Sequence, residues 1–327
     1  MFNPTTRSRR WLLAAAATLA ATAWCNGAMA QPVWPGKPVK ILVGFPGGST
    51  PDIAARVLAD VLSKSLGQPV VVENKPGAAG NIAADQVAKA VDDHTLGVVI
   101  NGNLTSARLL NPKLPYDPGK DFAFVSLLAT APLVLAAQPQ LPAGAGFFEA
   151  ARKAGNQWSY GSVGIGSVGH LGMEYVKSRA GNFEAVHVPY NGNPAVITAI
   201  LGDQVQMALM PPGIALPQVK AGKMQAIGLT GPRSALAPDT PSLAELGVQM
   251  DALEVWMALV GPAGLSAAAQ ERLAREVPAA VNGDARERLL TSGWQAVGSS
   301  ADGLRQRVAR ETVILGGIIQ SRGIKIE

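Results

Sequence analysis

The residue types best suited to chemistry gather at four strand ends: FPGGSTPD (Phe45 to Asp52), NGNLTSA (Asn101 to Ala107), SVGIGSVGH (Ser162 to His170) and PYNGNPA (Pro189 to Ala195). Gly, Ser, Thr and Asn in such loops suit the capture of a small anion. Glycines let backbone N–H groups approach it, hydroxyls and amides donate to it, and a helix beginning just after the loop adds its own free N–H groups. In FPGGSTPD, Gly47 and Gly48 supply the approach, Ser49 and Thr50 the hydroxyls, and Pro51-Asp52 suits the first turn of a helix. The loop lacks the Gly-Lys-Ser/Thr ending of a nucleoside-triphosphate loop and the spacing of a dinucleotide fingerprint. Taken alone it reads equally well as a tight turn with Asp52 capping its helix. In SVGIGSVGH, Ser167 is a candidate N-cap for a helix from Val168. Tyr190, Asn191 and Asn193 place a phenol and two amides before another helix, and Tyr190 fits a ligand contact and a core aromatic equally.

Catalytic and metal chemistry find less support. His170 sits one turn into a helix with no acidic partner at a telling spacing, which reads as a structural histidine rather than a general base. His94 and His187 lie beside strands without metal-ligand spacing, so no metal is expected. Gly166-Ser167-Val168-Gly169 does not fit the Gly-x-Ser-x-Gly elbow of a hydrolase. Several neutral anion-cradling loops with no nucleophile or base point to binding between two lobes.

Short apolar runs alternate with amphipathic stretches, the pattern of α/β layers with mainly parallel strands. VKILVGF, PVVVEN and TLGVVIN read as strands, with helices over 52–65 and 82–90; residues 120–139 read as one long connecting strand. A second series follows, with strands WSYGS, AVHVPY, QVQMALM and AIGLTG and helices near 147–154, 168–180 and 194–201. EVWMALVGPAG returns the chain to the first layer, and helices over 267–281 and 302–319 close it. Ahead of all this, MFNPTTRSRR, the apolar WLLAAAATLAATAW and Ala28-Met29-Ala30 form an export leader over residues 1–30, cleaved after Ala30 to start the mature chain at Gln31. Arg9-Arg10 leaves the twin-arginine and general secretory routes both open, and bulky Trp24 argues against lipid on Cys25. The leader takes the single cysteine with it, so no disulfide forms. It also takes Arg7, Arg9 and Arg10, so 28 Lys and Arg become 25 against 23 Asp and Glu, and a formal charge of +5 falls to +2. Scattered basic residues and few aromatics argue against nucleic acid as a partner.

WPGKPVKILVGFPGGSTPDIAARVLA, GQPVVVENKPGAAGNIAAD, LPYDPGKDFAFVSLLA, YGSVGIGSVGHLGMEYVKSRAG, VHVPYNGNPAVITAILGDQVQMAL, ALPQVKAGKMQAIGLT and GPAGLS occur in order along the chain. In these segments it resembles, over essentially the whole mature length, the Bug proteins, periplasmic solute-binding receptors of tripartite tricarboxylate transporters. The resemblance implies a two-lobed α/β flytrap, each lobe a mainly parallel sheet flanked by helices. Lobe one would comprise 31–129 plus 256–327, and lobe two 130–255. It further implies a monomeric, cofactor-free periplasmic protein that binds a small organic acid and hands it to membrane transporter subunits. Position by position, the family's ligand-binding motifs fall on Phe45, Gly48, Ser49, Thr50 and Asp52, on Asn101 and Thr105, on Ser162, Gly166, Ser167 and His170, and on Tyr190.

Two departures bear on the ligand. Ser49 stands where the family's loop has a second glycine, with Pro51 before the aspartate, and Met210-Pro211-Pro212 stands where many relatives have a polar residue. Met210 at a strand's carboxyl end therefore joins the ligand-contact set, with the expectation of one carboxylate and an apolar remainder in preference to a citrate-like polyanion. A receptor presenting its ligand to a sensor kinase would use the same chemistry, and a secreted hydrolase using Ser167 and His170 is the remaining alternative.

Overall fold

A computed structural model describes residues 34–325; the leader and its cleavage site lie outside the described residues. The elements run β1 (Val39–Val43), α1 (Thr50–Leu66), β2 (Val70–Asn74), α2 (Asn81–Ala88), β3 (Thr95–Ile100), α3 (Asn101–Leu104), α4 (Ser106–Leu110), β4 (Phe122–Pro132), β5 (Val134–Ala137), α5 (Ala145–Ala154), β6 (Ser159–Ser162) and α6 (Val168–Arg179). They continue with β7 (Val186–Pro189), α7 (Asn193–Leu201), β8 (Met207–Met210), α8 (Pro212–Lys220), β9 (Gln225–Leu229), β10 (Glu254–Pro262), α9 (Ala267–Asn282), α10 (Arg286–Thr291), β11 (Gln295–Ala296) and α11 (Ala301–Arg322).

These strands form two sheets, ordered β11-β4-β10-β3-β1-β2 and β7-β6-β8-β5-β9. In the first, β1, β2 and β3 pair in parallel, while β10 pairs antiparallel with β3 and β4. In the second, β6 pairs in parallel with β7 and β8, and β5 runs against β8 and β9. Most strands of each sheet thus share one direction, as expected. The antiparallel ladders arise where a reversed strand, β10 or β5, is inserted into the sheet and where β11 is added at the edge against β4.

The passage over 120–139, expected as one strand, is two strands in different sheets. Pro132 ends the ladder with β10, and Val134 opens the ladder with β8. Between them Leu133 is 1% exposed. The return path runs alongside it: Thr230 Oγ1 accepts from the Leu133 N–H at 3.0 Å and donates to the Leu253 carbonyl at 2.6 Å. The two connections between the sheets are therefore tied side by side at one buried hydroxyl.

Packing explains why the strands read as apolar runs. In β5, Leu135 and Ala137 join the large core that also holds α1 and α9 residues such as Leu58, Leu62, Leu273 and Val277. Val134 and Ala136 face the opposite side, against Val196, Ala208 and Leu229. Both faces of the sheet are covered. Helix α8 was not foreseen from the sequence, although Pro211-Pro212 suits a helix start, with Pro212 at the first helical position.

Candidate ligand-binding site

The loop after β1 is held from below. Asp52 Oδ2 accepts from the Gly48 N–H at 2.9 Å and from Arg56 Nε at 3.0 Å, and Oδ1 accepts from Asn74 Nδ2 at 2.9 Å. Burial alone would raise the Asp52 carboxyl, but the hydrogen bonds from Arg56, Asn74 and the Gly48 N–H outweigh it and hold the group below its ordinary value. With Asp52 so engaged, Ser49 takes the N-cap position of α1 in extended backbone yet makes no side-chain cap. Its hydroxyl is buried without a protein partner.

Ser49, Thr50 and Pro51 at the start of α1, and Ser167, Val168 and Gly169 at the start of α6, line one chamber. Phe45, Ile100, Leu133, Leu209, Val255, Met257 and Trp294 supply much of its apolar wall. An outer groove of about 430 Å3 shares Ile100, Val163 and Ser167 with the chamber and adds Asn81, Asn103, Ser106, Gly166, Tyr190 and Asn191. No Lys, Arg, His, Asp or Glu lines either space among the described residues. Positive potential at the chamber comes instead from two helix N-termini, each equivalent to about half a unit charge. Two side-chain hydrogen bonds join the two halves across this region. Asn193 Nδ2 donates to Thr50 Oγ1 at 3.0 Å, and Ser106 Oγ donates to the Gly166 carbonyl at 2.6 Å. Gly166 adopts φ +81°, and a side chain there would meet Leu110, so this contact depends on glycine.

The expected site residues divide accordingly. Phe45, Ser49, Thr50 and Ser167 line the chamber, and Gly166 and Tyr190 line the groove. The others stand behind the loops. Gly48 serves Asp52, and Asp52 serves the loop. Asn101 turns away and donates from Nδ2 to Glu311 Oε1 at 2.6 Å, because α3 starts at Asn101 and directs it toward α11. Thr105 Oγ1 donates back to the Asn101 carbonyl at 2.6 Å. Ser162 Oγ lies 2.7 Å from His187 Nε2 and donates to the Gly164 carbonyl. Met210 is corrected outright: it is 1% exposed and packed with Val134, Ala136 and Val196. On β8 its neighbour Leu209, like Pro211 just beyond the strand, lines the chamber, which leaves Met210 to the opposite face. The sequence reading named Asn193 as a loop amide without adding it to the ligand-contact set, and it missed Asn103 and Ser106, which lay inside the four loops, and Trp294, for which no motif gave a signal.

His170 is a positioning residue. Its Nδ1 accepts the Gly166 N–H at 3.1 Å, which puts its own proton on Nε2. Its ring stacks on His187 at 3.9 Å, and His187 in turn stacks on Tyr160. Burial pushes His170 down to about 4, with Glu174 opposing and Lys177 reinforcing the shift; burial and the charge of His170 push His187 to about 3. The folded protein thus keeps His170 neutral until about pH 4, whereas an unfolded chain protonates it near its ordinary value of 6.5. The unfolded state binds more protons in that window, so this residue's contribution to stability falls as pH drops from 6.5 towards 4. The expected loss is about 3 kcal/mol relative to His170→Asn, whose Oδ1 can still accept from Gly166. Urea unfolding of both proteins across the window checks this, and parallel pH curves would contradict it.

Comparison with known proteins gives consistent matches. The pattern of the tripartite tricarboxylate transporter family receptor matches residues 54–324. BugT of Bordetella pertussis is 30% identical over 323 residues, covering 97% of this chain and 98% of its own. The R. palustris protein Rpa4515, solved with adipate, superposes with a TM-score of 0.85 at 28% identity, covering 89% of this chain and 99% of its own. MatC from Rhodopseudomonas palustris, with bound malate, superposes with a TM-score of 0.80 at 29% identity, covering 88% and 100%.

Proposed function

Because the chain belongs to the tripartite tricarboxylate transporter receptor family, we propose that it captures a small organic acid between two lobes in the periplasm and delivers it to membrane transporter subunits. Lobe one comprises 31–129 plus 256–327, and lobe two 130–255. The sheet crossings at Leu133 and between Leu229 and Glu254 support that division to within a few residues of each boundary, since β4 runs on to Pro132 and β10 begins at Glu254. Their pairing through Thr230 supports a hinge there. The observation that carries the reading is the convergence of two helix N-termini and an unpartnered Ser49 hydroxyl on a chamber that no charged side chain lines among the described residues. Such a chamber suits an anion and gives a cation nothing to pair with. The Thr50 hydroxyl adds a donor, while Ser167 Oγ, which donates to the Gly164 carbonyl and accepts the His170 N–H, fixes the start of α6 at the chamber wall, and Tyr190 and the asparagines of the groove meet the end of the ligand that faces out.

A ligand that binds only the folded protein stabilises it by about 2.7 kcal/mol at one hundred times its Kd. A thermal-unfolding panel of small mono- and dicarboxylic acids, sugars and amines should give clear upward shifts with acids alone. Shifts confined to sugars or amines would overturn the carboxylate reading.

A further inference from the structure

The chamber holds two unpartnered polar side chains, and the anion site accounts for only one. Ser49 belongs to the start of α1. The other is Trp294, 1% exposed, whose Nε1 is buried without a hydrogen-bond partner. It comes from the segment between α10 and β11, and it lines the chamber with Leu133, Leu209, Val255 and Met257. Almost every buried polar group in a folded protein is hydrogen-bonded, and leaving one unpaired costs about 1–3 kcal/mol. An indole N–H only donates. What completes it must be an acceptor.

We propose that Trp294 reads the ligand, donating its indole N–H to an uncharged oxygen remote from the carboxylate. The chamber then takes acids with one carboxylate, an apolar body and a carbonyl oxygen. This deepens the carboxylate-receptor reading and rests on it. A second carboxylate at this position would leave water for a single N–H with no cation lining the chamber, and the desolvation would exceed the gain. A wholly apolar end would suit the wall but leave the N–H unpaired. An oxo group satisfies both the donor and the aliphatic surroundings. A site that hydrogen-bonds a ligand atom also discriminates strongly against the analogue that lacks it.

Matched acids test this by calorimetry: 4-oxopentanoate against 4-methylpentanoate, 5-oxohexanoate against 5-methylhexanoate, and 6-oxoheptanoate against 6-methylheptanoate. In the intact protein at least one oxo acid should bind about tenfold more tightly than its methyl counterpart. In Trp294→Phe that preference should fall to near unity, because whatever the smaller ring costs in apolar contact falls on both acids of a pair alike. Equal affinities within every pair in the intact protein, or a preference that survives in Trp294→Phe, would overturn the role of Trp294 and leave the receptor reading standing. Failure of any carboxylic acid to bind would sink both.

Discussion

Replacing Gly213 by alanine should weaken ligand binding by about tenfold to a hundredfold while leaving the ligand-free protein folded. Gly213 lies in the first turn of α8, which follows β8 of the second sheet. It packs against the backbone of Ser292 and Gly293, which precede β11 of the first sheet. A Cβ on Gly213 would overlap the Ser292 carbonyl, and backbone cannot step aside as a flexible side chain can. Where nothing obstructs it, the same substitution favours a helix by up to about 1 kcal/mol. The methyl group therefore disfavours the arrangement that brings the halves together and is neutral or favourable once they separate. The proposed capture of ligand between the lobes would need the closed arrangement, so the loss would fall on affinity. Calorimetry with a binding acid, thermal unfolding without it, and small-angle scattering check this together. A lower melting temperature with unchanged affinity would mean that the contact persists in every state and belongs to the hinge.

What the sequence made legible follows from which signals are local. The four loops were legible because strand end, glycine and helix start occur within a few residues of one another, and Ser49, Thr50 and Ser167 reach the chamber from such positions. The crossing at Leu133 was not. With both faces of β4 and β5 largely covered, the run has no alternation to mark where one sheet stops. Met210 misled for the same reason: all four residues of β8 are buried, so composition could not tell the chamber face from the core face. Asn101 misled because its partner, Glu311, lies 210 residues away, and no local pattern anticipates that hydrogen bond. Trp294 was invisible as a site residue because its environment is assembled from both sheets.

Asp52 puts the difference between touching a ligand and holding a loop to a direct test. Its side chain is almost fully buried, and its two oxygens together accept the Gly48 N–H, the Asn74 amide and two Arg56 nitrogens. Asp52→Ala would leave the Gly48 N–H and the Asn74 amide without that acceptor and Arg56 without its ion-pair partner. Part of the Arg56 guanidinium remains in water, which moderates the loss, and the expected destabilisation is about 2–4 kcal/mol. Binding should fail as well, because the loop loses its anchor at Gly48 and with it the placement of Ser49 at the chamber. Asp52→Asn keeps one acceptor oxygen and should lie between the two. The pH dependence gives a second signature. The Asp52 carboxyl is held below its ordinary value of 3.8, so its stabilising contribution is fully present above that value and is lost as pH falls through the lower, folded one. That acid-side loss should be missing from Asp52→Ala, and it lies below the window in which His170 acts. If Asp52 instead met the ligand directly, Asp52→Ala would bind poorly yet unfold at the same urea concentration and with the same acid limb as the intact protein.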